Sequence, residues 1–371
     1  MSVTGRGRIV LRFDADGQVG MGHFSRSLSL AEKLVEIGFE PIVVTKHVHA
    51  NIWTALKTFS YTCIKIPSSL PWSAEEEYIA QEFGFRDVKA SIFDISTPYA
   101  LCSIPDVDRC LSAFKNHGSL CLIDSVHDQA LGDKIQTDLD MVVVPYVGSG
   151  DSEGRKQDGT TFLGGPSYFV LGGEYSRSGP IQREMRSDDP LRVLLTFGGS
   201  DPQGITARAL KAVSRISEQS LMLRVIVGPS FSDRLTSQLE QSARSIHHCC
   251  TIVNAPDSLL EHMLWCDLAI SSSGLTKYEL AMTGTPSILI SIDKDHALIN
   301  KPFDETGVSV HLGVHSMVSE EQIKHAVVRL LANRDARVRM SRCGRELLDG
   351  QGATKILNEL DSIISRSQER D

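Results

Sequence analysis

The sequence predicts an α/β protein built from two doubly wound, Rossmann-like halves, and three observations carry that prediction. Apolar runs rich in β-branched residues alternate with helix-period segments through the whole chain, as parallel strands joined by crossover helices do. The 371 residues hold two domains of the usual ~150. A polar stretch, Tyr175–Pro190, carries Ser, Arg, Asp and two prolines, and the strand–turn–helix rhythm restarts directly after it. The halves are therefore placed at 1–187 and 188–371, with a ligand cleft between them.

In the first half, Arg8–Phe13 reads as a strand and Ser25–Ile37 as a helix with Leu28, Ala31, Leu34 and Val35 on one face. Gly38 ends that helix and Pro41–Thr45 is the next strand. Ser91–Phe93, Leu120–Ile123 and Met141–Val144 follow as strands ending at Asp94, Asp124 and Pro145. Gly148–Gly159 is polar and glycine-rich, which predicts an exposed loop. The second half repeats the rhythm with strands at Leu191–Phe197, Leu221–Val227, Thr251–Val253, Leu268–Ile270 and Ser287–Ile292. Helices are expected at Ser230–Ser245, Ser258–Trp265 and Leu275–Thr283, the span Glu320–Ile364 is mostly helical by period, and Ser365–Asp371 is a fraying tail. Open parallel sheets bind their ligands outside the carboxyl ends of the strands, so the residues at those ends are the candidates for chemistry.

Composition narrows the function classes. With 41% hydrophobic and 23% charged residues and a net charge of −8, the chain reads as an ordinary globular protein with no global positive field for nucleic acid or anionic lipid. No apolar run approaches the ~20 residues that cross a bilayer, and the start of the chain lacks a signal-peptide core, so a cytoplasmic protein without stable membrane insertion is expected. The eight cysteines include no C-x-x-C pair and read as free thiols of a reducing compartment. His247-His248-Cys249-Cys250 is a poor metal site, because neighbours in an extended chain point to opposite faces. The D-x-D pairs Asp14/Asp16 and Asp138/Asp140 match too short a pattern to predict a metal, and no metal or cofactor is expected.

Two loops stand out. The first strand runs into Asp14-Ala15-Asp16-Gly17-Gln18-Val19-Gly20-Met21-Gly22-His23, with a helix directly behind it. Its glycines allow positive φ and close approach of a ligand, and His23 falls beside the positive helix end, where the neutral imidazole that accepts a proton is favoured. In the second half, strand Leu268–Ile270 runs into Ser271-Ser272-Ser273-Gly274-Leu275-Thr276 and a helix carrying Glu279, an order suited to cradling a diphosphate while the glutamate accepts from ribose hydroxyls. Gly198-Gly199-Ser200-Asp201 forms a second cradle on the same side.

Arg12-x-Asp14-Ala15, Gly20-x-Gly22-His23, Arg26, Leu30-Ala31, Gly165-Pro166-x-Tyr168, Phe197-Gly198-Gly199-Ser200-Asp201 and Gly274-x-Thr276-x-x-Glu279-x-x-x-x-Gly284-x-Pro286 occur in this order. Together they resemble the nucleotide-sugar hydrolases of pseudaminic acid biosynthesis and their spore-coat polysaccharide relatives. The resemblance implies the GT-B fold of the lipid II-forming N-acetylglucosaminyltransferase, with the nucleotide on the C-terminal domain, the sugar facing the N-terminal one and the C-terminal helix crossing back onto it. It implies metal-independent hydrolysis of a UDP-linked 2,4-diacetamido-2,4,6-trideoxy sugar at the anomeric carbon; a monomer or weak homo-oligomer is expected. His23 takes the catalytic role with Asp14 beside it. Gly20, Gly22, Arg26, Asp94, Asp295 and His296 fall to the sugar, and Gly198, Gly199, Ser272, Ser273, Gly274, Leu275, Thr276 and Glu279 to the nucleotide. Two departures bear on the reaction: Asp94-Ile95-Ser96 replaces the family's Asp-His-Tyr, and Asp295-His296 replaces its Asn-Gln. Transfer of the sugar to an acceptor, and nucleotide-sugar binding without turnover, therefore stay open beside hydrolysis.

Overall fold

The protein was analysed as a computed structural model, which describes residues 5–15, 22–95, 106–123, 136–149, 153–155, 159–178, 181, 185–186 and 190–369. Two compact units emerge, the first of residues 1–173 with 351–371 and the second of 174–350.

The first unit carries β1 (Arg8–Phe13), β2 (Glu40–Thr45), β3 (Thr62–Lys65), β4 (Val88–Asp94), β5 (Ser119–Ile123), β6 (Met141–Val144), β7 (Glu153–Arg155) and β8 (Thr161–Gly164), ordered β3-β2-β1-β4-β5-β6-β8-β7. Its strands are parallel except β7, which pairs antiparallel with β8 inside the segment expected to be a plain loop. The described helices in this stretch are α1 (Gly22–Glu36), α2 (Ala50–Leu56), α3 (Glu75–Glu82) and α4 (Val107–Lys115). A parallel sheet is buried on both faces, and successive residues of β1 serve both: Ile9 and Leu11 pack with Leu30 and Leu34 of α1, while Val10 packs with Ile42, Phe93 and Phe114. Gly38, at φ 90°, ends α1 as expected, with its N–H on the Val35 carbonyl and that of Phe39 on Leu34.

The buried stripe of α1 is not the one its apolar residues suggest. Val35 is 52% exposed, and the buried positions are His23, Arg26, Ser27, Leu30, Ala31 and Leu34, with Ser29 beside them. This is a helical i, i+3, i+4 series whose N-terminal part is polar because it enters a site rather than the core.

The second unit carries α5 (Gly173–Ser178, which begins on the last residue of the first unit), β9 (Leu191–Thr196), α6 (Ile205–Ser214), β10 (Leu221–Val227), α7 (Asp233–Ser245), β11 (Cys249–Asn254), α8 (Leu260–Trp265), β12 (Leu268–Ser272), α9 (Thr276–Met282), β13 (Ser287–Ser291), α10 (Lys294–Glu305), β14 (Ser309–Val314), α11 (Glu320–Ala332) and α12 (Arg334–Leu347). Six parallel strands lie in the order β11-β10-β9-β12-β13-β14. Val193, Leu195, Val225 and Ile270 of the sheet meet Ile205, Leu210, Ile323 and Val327 of the helices in one core.

The division differs from the expected 187/188 at two places. Tyr175 of α5 is buried in the second unit, its hydroxyl against the Met263 sulfur at 3.8 Å, so that unit begins before its first strand. The last helix, α13 (Gly352–Gln368), belongs to the first unit, as the resemblance implies although the 188–371 bound does not: Ile356, Leu357, Leu360, Ile363 and Ile364 make an apolar stripe against Leu30, Cys121 and Met141. Helical period shows such a stripe without showing which sheet it covers. No described helix is long and apolar enough to cross a membrane, and the seven described cysteines are free thiols.

Candidate functional site

In each sheet the strand order reverses at one point, between β1 and β4 in the first unit and between β9 and β12 in the second. Loops leaving the carboxyl ends of these neighbouring strands part to opposite sides and leave room for a ligand. The predicted loops sit at these two points.

At the first, Phe13 and Asp94 are register partners at the ends of β1 and β4, and α1 begins beyond β1. His23, Arg26 and Ser27 share one face of the first turns of α1 and all meet Asp94. His23 Nδ1 lies 2.7 Å from Asp94 Oδ1, and Arg26 donates from Nε to Oδ2 at 2.8 Å and from Nη2 to Oδ1. The carboxyl is 2% exposed; burial alone would push its pKa up, but the Arg26 guanidinium and His23 outweigh burial and hold it well below the usual carboxylate range. Asp94 is ionised and can only accept, so hydrogen bonding across the 2.7 Å contact puts the proton on Nδ1, while Arg26 Nη2, itself a donor, also stands 3.1 Å from that nitrogen. The other ring nitrogen, Nε2, has no hydrogen-bonding partner among the described residues.

Arg26 and Asp94, expected to touch the sugar, contact each other and His23. The remaining Arg26 nitrogen donates to the Tyr146 hydroxyl at 3.0 Å. Tyr146, half-buried beyond β6 with its ring edge-on to Phe169, escaped the sequence reading because only its fold neighbours bring it to Arg26. Gly22 opens α1, whereas Gly20, Asp16 and Ser96 lie outside the described residues.

Asp14, expected beside His23 in catalysis, belongs to a different cluster. Its Oδ1 accepts from Arg12 Nη1 at 2.8 Å and from the backbone N–H groups of Lys46 and His47, both at 2.9 Å. Arg12 and Lys46 also reach Glu75, at 2.9 and 3.1 Å, and both cations stack on Trp72. These four buried charges pin the end of β1 to the segment after β2. Burial would raise the Asp14 carboxyl, but Arg12 and the two backbone donors hold it below its ordinary value.

At the second point, a Cβ on Gly198 would lie 3.9 Å from Ser272 Oγ, so the loops after β9 and β12 adjoin. Gly198 has φ 77°, and Gly199 sits behind it against Gly228. Ser271, Ser272 and Ser273 are buried, and the hydroxyls of Ser271 and Ser273 have no partner among the described residues. Gly274 faces open space, and Leu275 and Thr276 are half-buried where α9 starts. Glu279 carries a carboxylate with no hydrogen-bonded partner among the described residues; burial first, and Glu174 second, push it up to about 7. Glu174 also lines a concavity of about 490 Å³ with Pro256, Asp257, Ser258 and His262.

Asp201 caps α6, accepting from the N–H groups of Ile205 and Thr206 at 2.9 and 2.8 Å. Asp295 is exposed on the first turn of α10, and His296 Nδ1 is held 2.8 Å from Asp293, the cap of that helix. His248 has both ring nitrogens on the backbone, at Leu221 and Val213. Among the described residues no three His, Cys, Asp or Glu converge as a metal site would require.

Comparison with known proteins places the fold. No family model matches the chain. The Bacillus subtilis spore coat polysaccharide biosynthesis protein SpsG is 23% identical over 95% of this chain and 98% of its own. An uncharacterized protein of Methanocaldococcus jannaschii is 24% identical over 76% of this chain and 55% of its own. A Helicobacter pylori protein, described as pseudaminic acid cytidylyltransferase and UDP-2,4-diacetamido-2,4,6-trideoxy-beta-L-altropyranose hydrolase, is 26% identical over 39% of this chain and 24% of its own. Among solved structures, Acinetobacter baumannii MurG superposes with a TM-score of 0.68 at 14% identity, covering 96% of this chain and 99% of its own. The S. aureus MnaA–UDP co-structure gives 0.66 at 13% identity, covering 97% of both chains. Two parallel-sheet α/β units of the GT-B glycosyltransferase type are thus the fold of this chain.

Proposed function

We propose that the chain binds a UDP-linked amino or deoxy sugar and breaks the bond between its anomeric carbon and the diphosphate, with water as the leading acceptor. The observation that carries the reading is the His23–Asp94 pair at a switch point, with Nδ1 held by a carboxylate and Nε2 left to accept a proton. In this reaction water attacks the anomeric carbon as the glycosidic C–O bond breaks. The proton passes to His23 Nε2, UDP leaves with the bonding electron pair, and the imidazolium later returns the proton to solvent. Asp94 holds the ring and steadies the imidazolium. Backbone N–H groups and hydroxyls of the Ser272–Thr276 loop, with Gly198 and Gly199, receive the departing diphosphate, and Glu279 accepts from the ribose. The similarity to the UDP-sugar hydrolase of Helicobacter pylori, partial as it is, supports hydrolysis, and SpsG supports a place in surface polysaccharide synthesis.

Transfer to a sugar acceptor uses the same parts, with His23 deprotonating a hydroxyl instead of water. The GT-B neighbours and the Asp295-His296 departure favour it. Phosphorus and proton NMR of the protein with UDP-2,4-diacetamido-2,4,6-trideoxy-β-L-altropyranose, in EDTA and without acceptor, tests the choice. Release of UDP and free sugar that disappears in His23→Ala is the expected result. Intact substrate despite binding moves transfer ahead, and turnover that needs Mg²⁺ or Mn²⁺ overturns the metal-independent mechanism.

A further inference from the structure

Lys277, on the first turn of α9, is 2% exposed, and among the described residues its Nζ has one hydrogen-bonding partner, the Asn300 amide oxygen at 2.8 Å. Two ring faces also flank it, with the centroids of Phe303 and Tyr278 at 5.1 and 5.3 Å. No carboxylate lies within ion-pair distance of it among the described residues. Asn300 passes the contact on, donating from Nδ2 to Ser291 Oγ at 3.0 Å, and Ser291 lies 2.8 Å from His311 Nε2. Burial first lowers His311; Asp304, which accepts from its backbone N–H at 2.9 Å, opposes that, and the Lys277 charge adds to the lowering.

A buried ammonium without a counter-charge is strongly disfavoured, and burial pushes Lys277 down to about 7. Asn300 cannot supply the missing negative charge. The residues beside Lys277 form the cradle loop, where two buried hydroxyls also lack partners.

We propose that Lys277 supplies the counter-charge to a nucleoside diphosphate held by the Ser272–Thr276 loop, its amine taking a proton from solvent when the diphosphate binds and releasing it when the diphosphate leaves. The inference rests on the nucleotide reading above. Lys277 acts through the low-dielectric interior rather than by touching the ligand, so its signature is proton linkage.

Titration calorimetry of UDP into the full-length protein, at about pH 8 in HEPES, Tris and Tricine, reads that linkage from the dependence of heat on buffer ionisation enthalpy. About one proton is expected to be taken up per UDP, because a free amine is then mostly unprotonated. Lys277→Met, which keeps the packing volume, is expected to abolish the uptake and to weaken UDP near pH 7 by about 10-fold or more. Uridine, lacking phosphates, is expected to bind without uptake. UDP binding with no uptake, or with uptake unchanged in Lys277→Met, overturns the inference and leaves the nucleotide reading standing. Absence of UDP binding to the wild-type protein overturns both. Should Lys277→Met fail to fold, equal uptake for uridine and UDP in the wild-type protein overturns the inference by itself.

Discussion

His23 and Asp94 lie 71 positions apart in the chain and 2.7 Å apart in space, on a carboxylate whose other edge is gripped by Arg26. The carboxylate thereby favours the proton on Nδ1 of the histidine, and it cannot be altered without stranding a buried guanidinium. His23→Ala is expected to lower turnover about 10²–10⁴-fold while leaving the fold intact. Asp94→Asn is expected to lower turnover comparably and also to cost about 3–5 kcal/mol of stability, because Arg26 loses its partner inside the protein. Steady-state kinetics beside urea denaturation separates the two effects; full turnover in Asp94→Asn would remove the pair from the mechanism.

Asp14 predicts the opposite split. Its contacts to Arg12, Lys46 and His47 make it an anchor, so Asp14→Ala is expected to destabilise by about 3–5 kcal/mol. Its folded-state pKa is depressed, so the stability it contributes is present above about pH 3.9 and is lost as pH falls below that value toward the folded pKa. Urea midpoints measured from pH 7 down to pH 3 should fall more steeply for the wild-type protein than for Asp14→Asn. Unchanged stability with lost turnover in Asp14→Ala would return Asp14 to a catalytic role.

The strand–helix alternation and both cradle loops were legible because period and glycine placement are local properties. β1 and β10 fall at the positions expected from their apolar runs. Pairings across the sheet are not local. Nothing in Asp94-Ile95 says that its carboxylate faces His23, and Tyr146 and Lys277 acquire their settings only from β6 beside β5 and from α9 against α10. The face of α1 departs from its apolar pattern for a related reason: the helix buries the polar His23, Arg26 and Ser27 at its N-terminal end. Helix α13 carries a clear stripe, but a stripe does not name its partner sheet.

Gly228 tests the second cradle without touching its polar groups. A Cβ there would stand 2.4 Å from the Gly198 carbonyl oxygen and 2.5 Å from that of Gly199, both backbone atoms. Gly228→Ala must therefore move the glycine loop or the end of β10, at a cost of about 1–3 kcal/mol. UDP affinity is expected to fall at least as far as stability does. An alanine variant that binds UDP normally would show that the Gly198–Gly199 loop takes no part in nucleotide binding.

Glu279 and Lys277 set opposite limbs of one pH profile. Glu279 is raised to about 7, so the folded protein holds an extra proton there between about pH 4.5 and 7, and this group's contribution to stability declines as pH rises through that window. Accepting hydrogen bonds from two ribose hydroxyls requires the ionised carboxylate, so UDP affinity should climb as pH passes upward through 7. Lys277, lowered to about 7, acts in reverse: above that pH the bound state must recruit a proton, and affinity should decline by up to about tenfold per pH unit. The wild-type protein is therefore expected to bind UDP most tightly near neutral pH, with both flanks falling. Glu279→Gln should flatten the acid flank and lower the maximum, and Lys277→Met should flatten the alkaline flank. Affinity measured from pH 5.5 to 9 on the three proteins distinguishes the groups, because an unchanged flank in either variant removes that residue from the nucleotide site.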